Sequence, residues 1–222
     1  MPGNEKIFVV GAGGQARVVI DILIDSGGYD VIAAVDLQAP QTPKYVFGVP
    51  VIGADEAWEY LTEKQTNLGI VAIGDNNIRQ LRYNELLDHD FVAETLVHRS
   101  AVVAENAELG DGSCLAPGAI IATDVVIGSN TIINSGAVIE HGSRVGPHVH
   151  IAPRAVIAGE VTIGEQAFIG TGAVVKERVR IGENAVVGAG SVVLDDVPAN
   201  SVAVGSPARM VRRKADASEG AL

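Results

Sequence analysis

At 222 residues the chain can hold one large domain or two small ones; 47% of it is apolar but only 4% aromatic, so any core must be built from Val, Ile and Ala. A net charge of −11 excludes a nucleic-acid backbone as the main partner, because phosphate binding wants a basic face and only "MVRRK" (210–214) is locally basic. The lone Cys114 excludes an internal disulfide, the start "MPGNEKIFVVGAGG" lacks the pattern of a signal peptide, and no apolar run reaches membrane-spanning length, so a soluble cytoplasmic protein without membrane insertion is expected.

Residues 1–94 read as an alternating α/β unit. "KIFVVGAGG" (6–14) is a buried strand running into a glycine turn, and "QARVVIDILIDSG" (15–27) has helical spacing and stops at Gly27-Gly28. "VIAAVD" (31–36) is a second strand, "ADEAWEYLTEK" (54–64) a helix, "LGIVAIGD" (68–75) a third strand and "NNIRQLRYNELLDHD" (76–90) a further helix. Strand–helix alternation implies a parallel sheet. "GAGGQA" (11–16) nearly completes a dinucleotide fingerprint, and Asp36 ends the second strand where such folds hold ribose hydroxyls. The glycine turn by itself guarantees only close backbone approach and a helix N-terminus suited to phosphate; a tight turn without ligand reads the same.

From Val97 the rhythm changes to sixes. Seventeen hexads run without insertion over 97–198; the first position is always Ile, Leu or Val and the fifth always Ala, Ser, Thr or Val. A fixed short repeat signals a solenoid of short strands and tight corners. The second position is Gly at 110, 128, 146, 164 and 182, every eighteen residues, so three hexads make one triangular coil. The predicted fold is therefore α/β plus all-β: a Rossmann-like βαβ domain over 1–94, a β-helix over 95–214, and a disordered tail over 215–222.

Within the solenoid, Asn134 and Glu140 place polar groups in consecutive hexads at the second position, which is normally small (His98, Lys176 and Leu194 are its other large residues), and His141 follows Glu140 directly. Three of the five histidines, His141, His148 and His150, fall within ten residues. An imidazole accepts a proton near neutral pH and returns it, and a neighbouring carboxylate can orient the ring and stabilise the imidazolium, so the cluster is a candidate acid–base centre. The rival is a metal site on "HVH" (148–150), but alternate residues of a strand point to opposite faces unless a corner intervenes, so no metal is expected. Scattered surface polarity is the bland reading, and Cys114 as a covalent nucleophile is a weaker rival than the metal.

A short Rossmann-like domain followed by an unbroken hexad solenoid, carried by "VVGAGGQARVV", "VAIGDNNIRQ", "INSGAVIEHG" and "VGSPAR", resembles the bacterial sugar-nucleotide acyltransferases of the PglD and NeuD type over about residues 5–214. Within them it is most similar to the N-acetyltransferases acting on nucleotide-linked 4-amino-4,6-dideoxy sugars such as GDP-perosamine. The resemblance implies a left-handed β-helix and a homotrimer with acetyl-CoA between adjacent solenoids. It implies sugar-nucleotide binding by Gly11, Gly13, Gln15, Asp36, Gly74, Asn76 and Arg79. His141 would be the general base, with Glu140 and Asn134 beside it. His150 would lie near acetyl-CoA, and the coil backbone at Gly159, Thr171 and Ala189 would hold the pantetheine. Two departures stand out: the residue after His141 is Gly142 instead of an acid, and the glycine loop carries Gln15 where relatives often have histidine. Sugar O-acetylation, of the sialic-acid type, and a non-catalytic sugar-nucleotide-binding trimer are the alternative functions.

Overall fold

The computed structural model describes residues 4–36, 42 and 44–213, and the expected 215–222 tail lies outside them. The chain divides into a unit ending at Arg99 and a second beginning at Ser100.

Among the described residues the first unit is a six-stranded sheet with three helices. In chain order it comprises β1 (Glu5–Val10), α1 (Gly14–Ser26), β2 (Tyr29–Asp36), β3 (Tyr45–Val46), β4 (Val49–Gly53), α2 (Ala54–Glu63), β5 (Leu68–Val71), α3 (Asn76–Asp88) and β6 (Val92–Ala93). The strand order is β3-β4-β2-β1-β5-β6, parallel throughout except for the antiparallel pair β3–β4. Phe8, Val10, Val35, Leu61, Val71 and Leu86 fill the core, and Phe8 meets Phe91 edge-on at 4.9 Å. β1 ends at Val10 and the expected glycine turn follows: Gly11 takes φ +129°, and a Cβ there would fall 2.6 Å from the Ala72 carbonyl oxygen. β5 stops at Val71, short of 75, because the next residues turn out of the sheet and the Asp75 carboxylate caps α3 by accepting from Ile78 N at 3.0 Å.

The second unit is a parallel β-helix. Its two-residue strands stack into three flat faces. The first contains Cys114–Leu115, Ile132–Ile133, His150–Ile151, Phe168–Ile169 and Val186–Val187. The second contains Val102–Val103, Ile120–Ile121, Val138–Ile139, Val156–Ile157, Val174–Val175 and Val192–Val193. The third contains Glu108–Leu109, Val126–Ile127, Arg144–Val145, Thr162–Ile163 and Arg180–Ile181. Hexad positions one and five point inward and build a continuous core from Leu115 to Ala203. Each fully buried Ile or Val there contributes about 1.5–3 kcal/mol. The inward hydroxyls are not exceptions: Ser143 Oγ donates to Ala158 O (3.0 Å) and accepts from Val161 N (3.1 Å) of the next coil. The strands Ser201–Gly205 and Ala208–Arg213 pair antiparallel, the former extending the first face beside Val186–Val187.

Corners repeat as strictly as strands. From 112 to 190 every sixth residue, the fourth of its hexad, has positive φ, whether it is Gly, Asn, Asp, Arg, Glu, Gln or His148 (φ 58°). The eighteen-residue glycine column has a different cause. It lies on the corner after the third face, where a Cβ at Gly128 would fall 2.4 Å from Pro147 N, and one at Gly110 2.4 Å from Ser129 N. Successive coils touch backbone to backbone there.

Candidate active site

The C-terminal ends of β1, β2 and β5 open into a cavity of about 220 Å³, lined by Gly11, Gly13, Gln15, Asp36, Gly74 and Ile78 among others. Such a crevice beyond strand ends is where open α/β sheets bind ligands. α1 begins at its rim without a side-chain cap and without an acidic residue in its first turn, leaving N–H groups for an anion. The side-chain Nε2 of Gln15 is buried and has no acceptor among the described residues, so a ligand acceptor would satisfy it. Asp36 Oδ2 accepts from Lys44 Nζ at 3.0 Å, a cation the sequence reading did not single out. Asn76 stands in the first turn of α3.

Arg79 requires a correction. It was expected to bind substrate, but it is fully buried, donating from Nη1 to Ile73 O (3.1 Å) and Gly74 O (3.3 Å) and from Nη2 to Asn76 Oδ1 (2.8 Å). It holds the 73–76 loop against the cavity instead of entering it.

In the solenoid the three clustered histidines have three environments. His148, at a left-handed corner, is 6% exposed and its Nδ1 lies 2.8 Å from Asn130 Nδ2. His150, on the first face, is 8% exposed, lies edge-on to Phe168 at 5.2 Å, and places Nε2 3.3 Å from Asn134 Nδ2. Only the His141 ring is exposed. It lies over Gly159 of the next coil, whose absent side chain makes room: a Cβ there would sit 2.6 Å from His141 Cε1 and 2.7 Å from Nε2. Among the described residues no three His, Cys, Asp or Glu side chains come together as a metal site.

The expected catalytic trio does not converge within one chain. Asn134 follows a first-face strand, whereas Glu140 and His141 follow a second-face strand, so they occupy successive corners of the triangle. Asn134 partners His150, and no hydrogen bond joins Glu140 to the His141 ring among the described residues. Gly159 belongs to the His141 corner, while Thr171 and Ala189 are exposed on the Asn134 corner. The acid whose backbone the structure ties to that of His141 is Glu160, on the next coil. Its N–H donates to His141 O (2.9 Å) and its Oε2 accepts from Arg178 Nε (2.9 Å). That hydrogen bond, the Arg178 charge and, more weakly, the His141 charge hold the Glu160 carboxyl below the usual carboxylate range. Glu160 is invisible in a linear reading; adding the period of eighteen to Gly142 finds it.

An α/β unit with an open glycine-lined crevice, followed by a hexad β-helix carrying an exposed histidine at a corner, defines a hexapeptide-repeat acyltransferase. Residues 6–86 match the PglD N-terminal domain family, and 124–159 and 160–195 match the bacterial transferase hexapeptide (six repeats) family. PerB from Caulobacter crescentus, solved in complex with CoA and GDP-perosamine, is 41% identical over 95% of this chain and 98% of its own, with a TM-score of 0.87. The acetyltransferase domain of PglB from Neisseria gonorrhoeae, solved in complex with acetyl coenzyme A, is 32% identical over 94% of this chain and 100% of its own, again with a TM-score of 0.87. WeeI from Acinetobacter baumannii AYE is 27% identical over 94% of this chain and 100% of its own, with a TM-score of 0.81. No curated protein sequence matches the chain. The chain belongs to the PglD/NeuD-type hexapeptide-repeat family of bacterial sugar-nucleotide acyltransferases. Among the described residues no helix is long and apolar enough to cross a membrane.

Proposed function

We propose that the chain is an acetyl-CoA-dependent N-acetyltransferase acting on the 4-amino group of a nucleotide-linked 4-amino-4,6-dideoxy sugar such as GDP-perosamine, with His141 as general base. The observation that carries the reading is the end-to-end likeness to PerB, which was solved with CoA and GDP-perosamine. The front cavity receives the nucleotide. Phosphates meet the uncapped N–H groups at Gly13–Gly14, Gln15 donates its buried amide, and Asp36 accepts from sugar hydroxyls after exchanging Lys44 for them. The neutral sugar amine attacks the acetyl carbonyl, a C–N bond forms, the C–S bond breaks and CoA leaves as thiolate. The proton shed by the nitrogen passes to His141 and from there to solvent or the thiolate, so that the transfer is direct.

The working unit is a homotrimer with its sites between subunits. Two features support this. The outward residues of the second face form an unbroken apolar stripe, Val102, Ile120, Val138, Val156, Val174 and Val192, whereas the third face carries Glu108, Arg144, Thr162 and Arg180. The stripe ends at the corner that bears Glu140 and His141. A neighbouring copy seated on it would bring its own Asn134 corner, with His150, Thr171 and Ala189, toward His141, and acetyl-CoA would lie in the groove between. A panel of GDP- and UDP-linked amino and hydroxy sugars, read by thiol release and a 42 Da mass gain (about one acetyl group for one proton), tests the reading. Acetylation of hydroxy sugars alone would replace it with O-acetyl transfer.

A further inference from the structure

We propose that Glu160, fixed by Arg178, is a positioning residue that stabilises the His141 imidazolium from the coil next to it. The proposal rests on His141 being the general base. The chain neighbour that could have supplied an acid on the far side of the ring is Gly142, with no side chain. A Cβ built on Gly142 would lie 3.5 Å from Glu160 Cγ, so the Glu160 side chain runs beneath the place that residue leaves empty. The backbones are locked by the Glu160 N–H bond to His141 O, and Arg178 ties down one carboxylate oxygen at 2.9 Å. A carboxylate held there loses little freedom in waiting for a proton to arrive on the ring.

The other charged groups around this corner are placed less well. Asp124, on the preceding coil, turns away to accept from Asn106 Nδ2 at 2.6 Å. Glu140 is on the same coil without a bond to the ring. Glu177 stands beside Arg178, and Arg144 is on the strand that follows. Glu160 is the acid whose side chain runs under the Gly142 position and whose backbone is bonded to that of His141.

Glu160 and Arg178 are solvent-exposed, so the effect is modest and salt-dependent, roughly threefold in kcat at low ionic strength. The test compares wild type with Glu160→Gln, His141→Asn and the double variant, measuring kcat and both KM values across pH. NMR titration of the His141 ring in wild type and Glu160→Gln accompanies it. Removing the carboxylate should destabilise the imidazolium. The ring should titrate at lower pH and the acid limb of kcat should move the same way. The kcat plateau should fall roughly threefold with both KM values unchanged. High salt should erase the difference, and Glu160→Gln should do nothing further in the His141→Asn background. A His141 titration that is the same with and without Glu160 overturns the proposal, even if His141→Asn is slow. A His141→Asn variant with wild-type kcat instead removes the general base, and the NMR titration still decides whether Glu160 acts on the ring.

Discussion

Gly159→Ala isolates the placement of the His141 ring from everything else. The added methyl would lie 2.6 Å from Cε1, 2.7 Å from Nε2 and 3.2 Å from Nδ1. Favourable carbon separations begin at about 3.5 Å, so the imidazole must retreat by about 1 Å. It can do so cheaply, since it is the exposed end of a side chain with two free torsions. The backbone is not strained either, because Gly159 is absent from the positive-φ positions. The fold should therefore keep its stability within about 1 kcal/mol, with the lower unfolded-state entropy of alanine offsetting part of any loss. A displacement of about 1 Å in a reacting group costs up to roughly a hundredfold. The expected result is a kcat lower by about ten- to a hundredfold in a thiol-release assay, with the melting temperature nearly unchanged and the nucleotide-sugar KM preserved. Wild-type kcat would show that the ring over Gly159 is not the catalytic one. A kcat loss accompanied by a large fall in melting temperature would show that the coil contact, not the ring, was disturbed.

Gly128→Ala makes the contrast: its methyl meets Pro147 N at 2.4 Å, which is backbone and cannot swing aside, so calorimetry should show a loss of about 3 kcal/mol. Asp36→Ala should raise the KM for the nucleotide sugar and leave that for acetyl-CoA nearly constant; equal losses for both would remove the front cavity from the reading. Val156→Asp, in the middle of the apolar stripe, should convert a particle of three times the 23.0 kDa chain mass into monomers by light scattering. Tyr29 donates to Glu94 Oε1 at 3.1 Å; burial, followed by the Glu94 charge and hydrogen bond, pushes its phenol up to about 12. Its proton is thus held more tightly folded than unfolded, and that contribution to stability is complete below about pH 10 and lost as pH rises through the folded value. Tyr29→Phe should flatten alkaline denaturation over that window.

The solenoid was legible because its physics is local. One inward Ile or Val and one inward small residue per hexad appear as a period in the letters. The front unit was legible to the extent that its strands are long and flanked by helices. The β3–β4 hairpin escaped because β3 has two residues and Pro50 interrupts β4; β6, also two residues long, escaped for the same reason. Arg79 entered the expected site through the family resemblance alone, and its burial against two carbonyls leaves no mark in the sequence. In the site, nearness along the chain is not nearness within one solenoid. Asn134 and Glu140 are six residues apart and on different corners, while His141 and Glu160 are nineteen apart and adjacent. Proximity in a coil is measured in eighteens, and the glycine column already announced that unit.

The same unit governs how such a gene can change length. Eighteen inserted codons between Glu160 and Thr171 would add one storey, about 4.8 Å tall, and leave every older side chain on its own corner. Six would swing Thr171 and Ala189 round to the edge now occupied by His141, and everything beyond them with it. One or two would point the inward Ile and Val at water. The rod can therefore be lengthened or shortened by inheritance only in whole storeys, and two distant descendants should differ by multiples of eighteen or not at all between their shared corners.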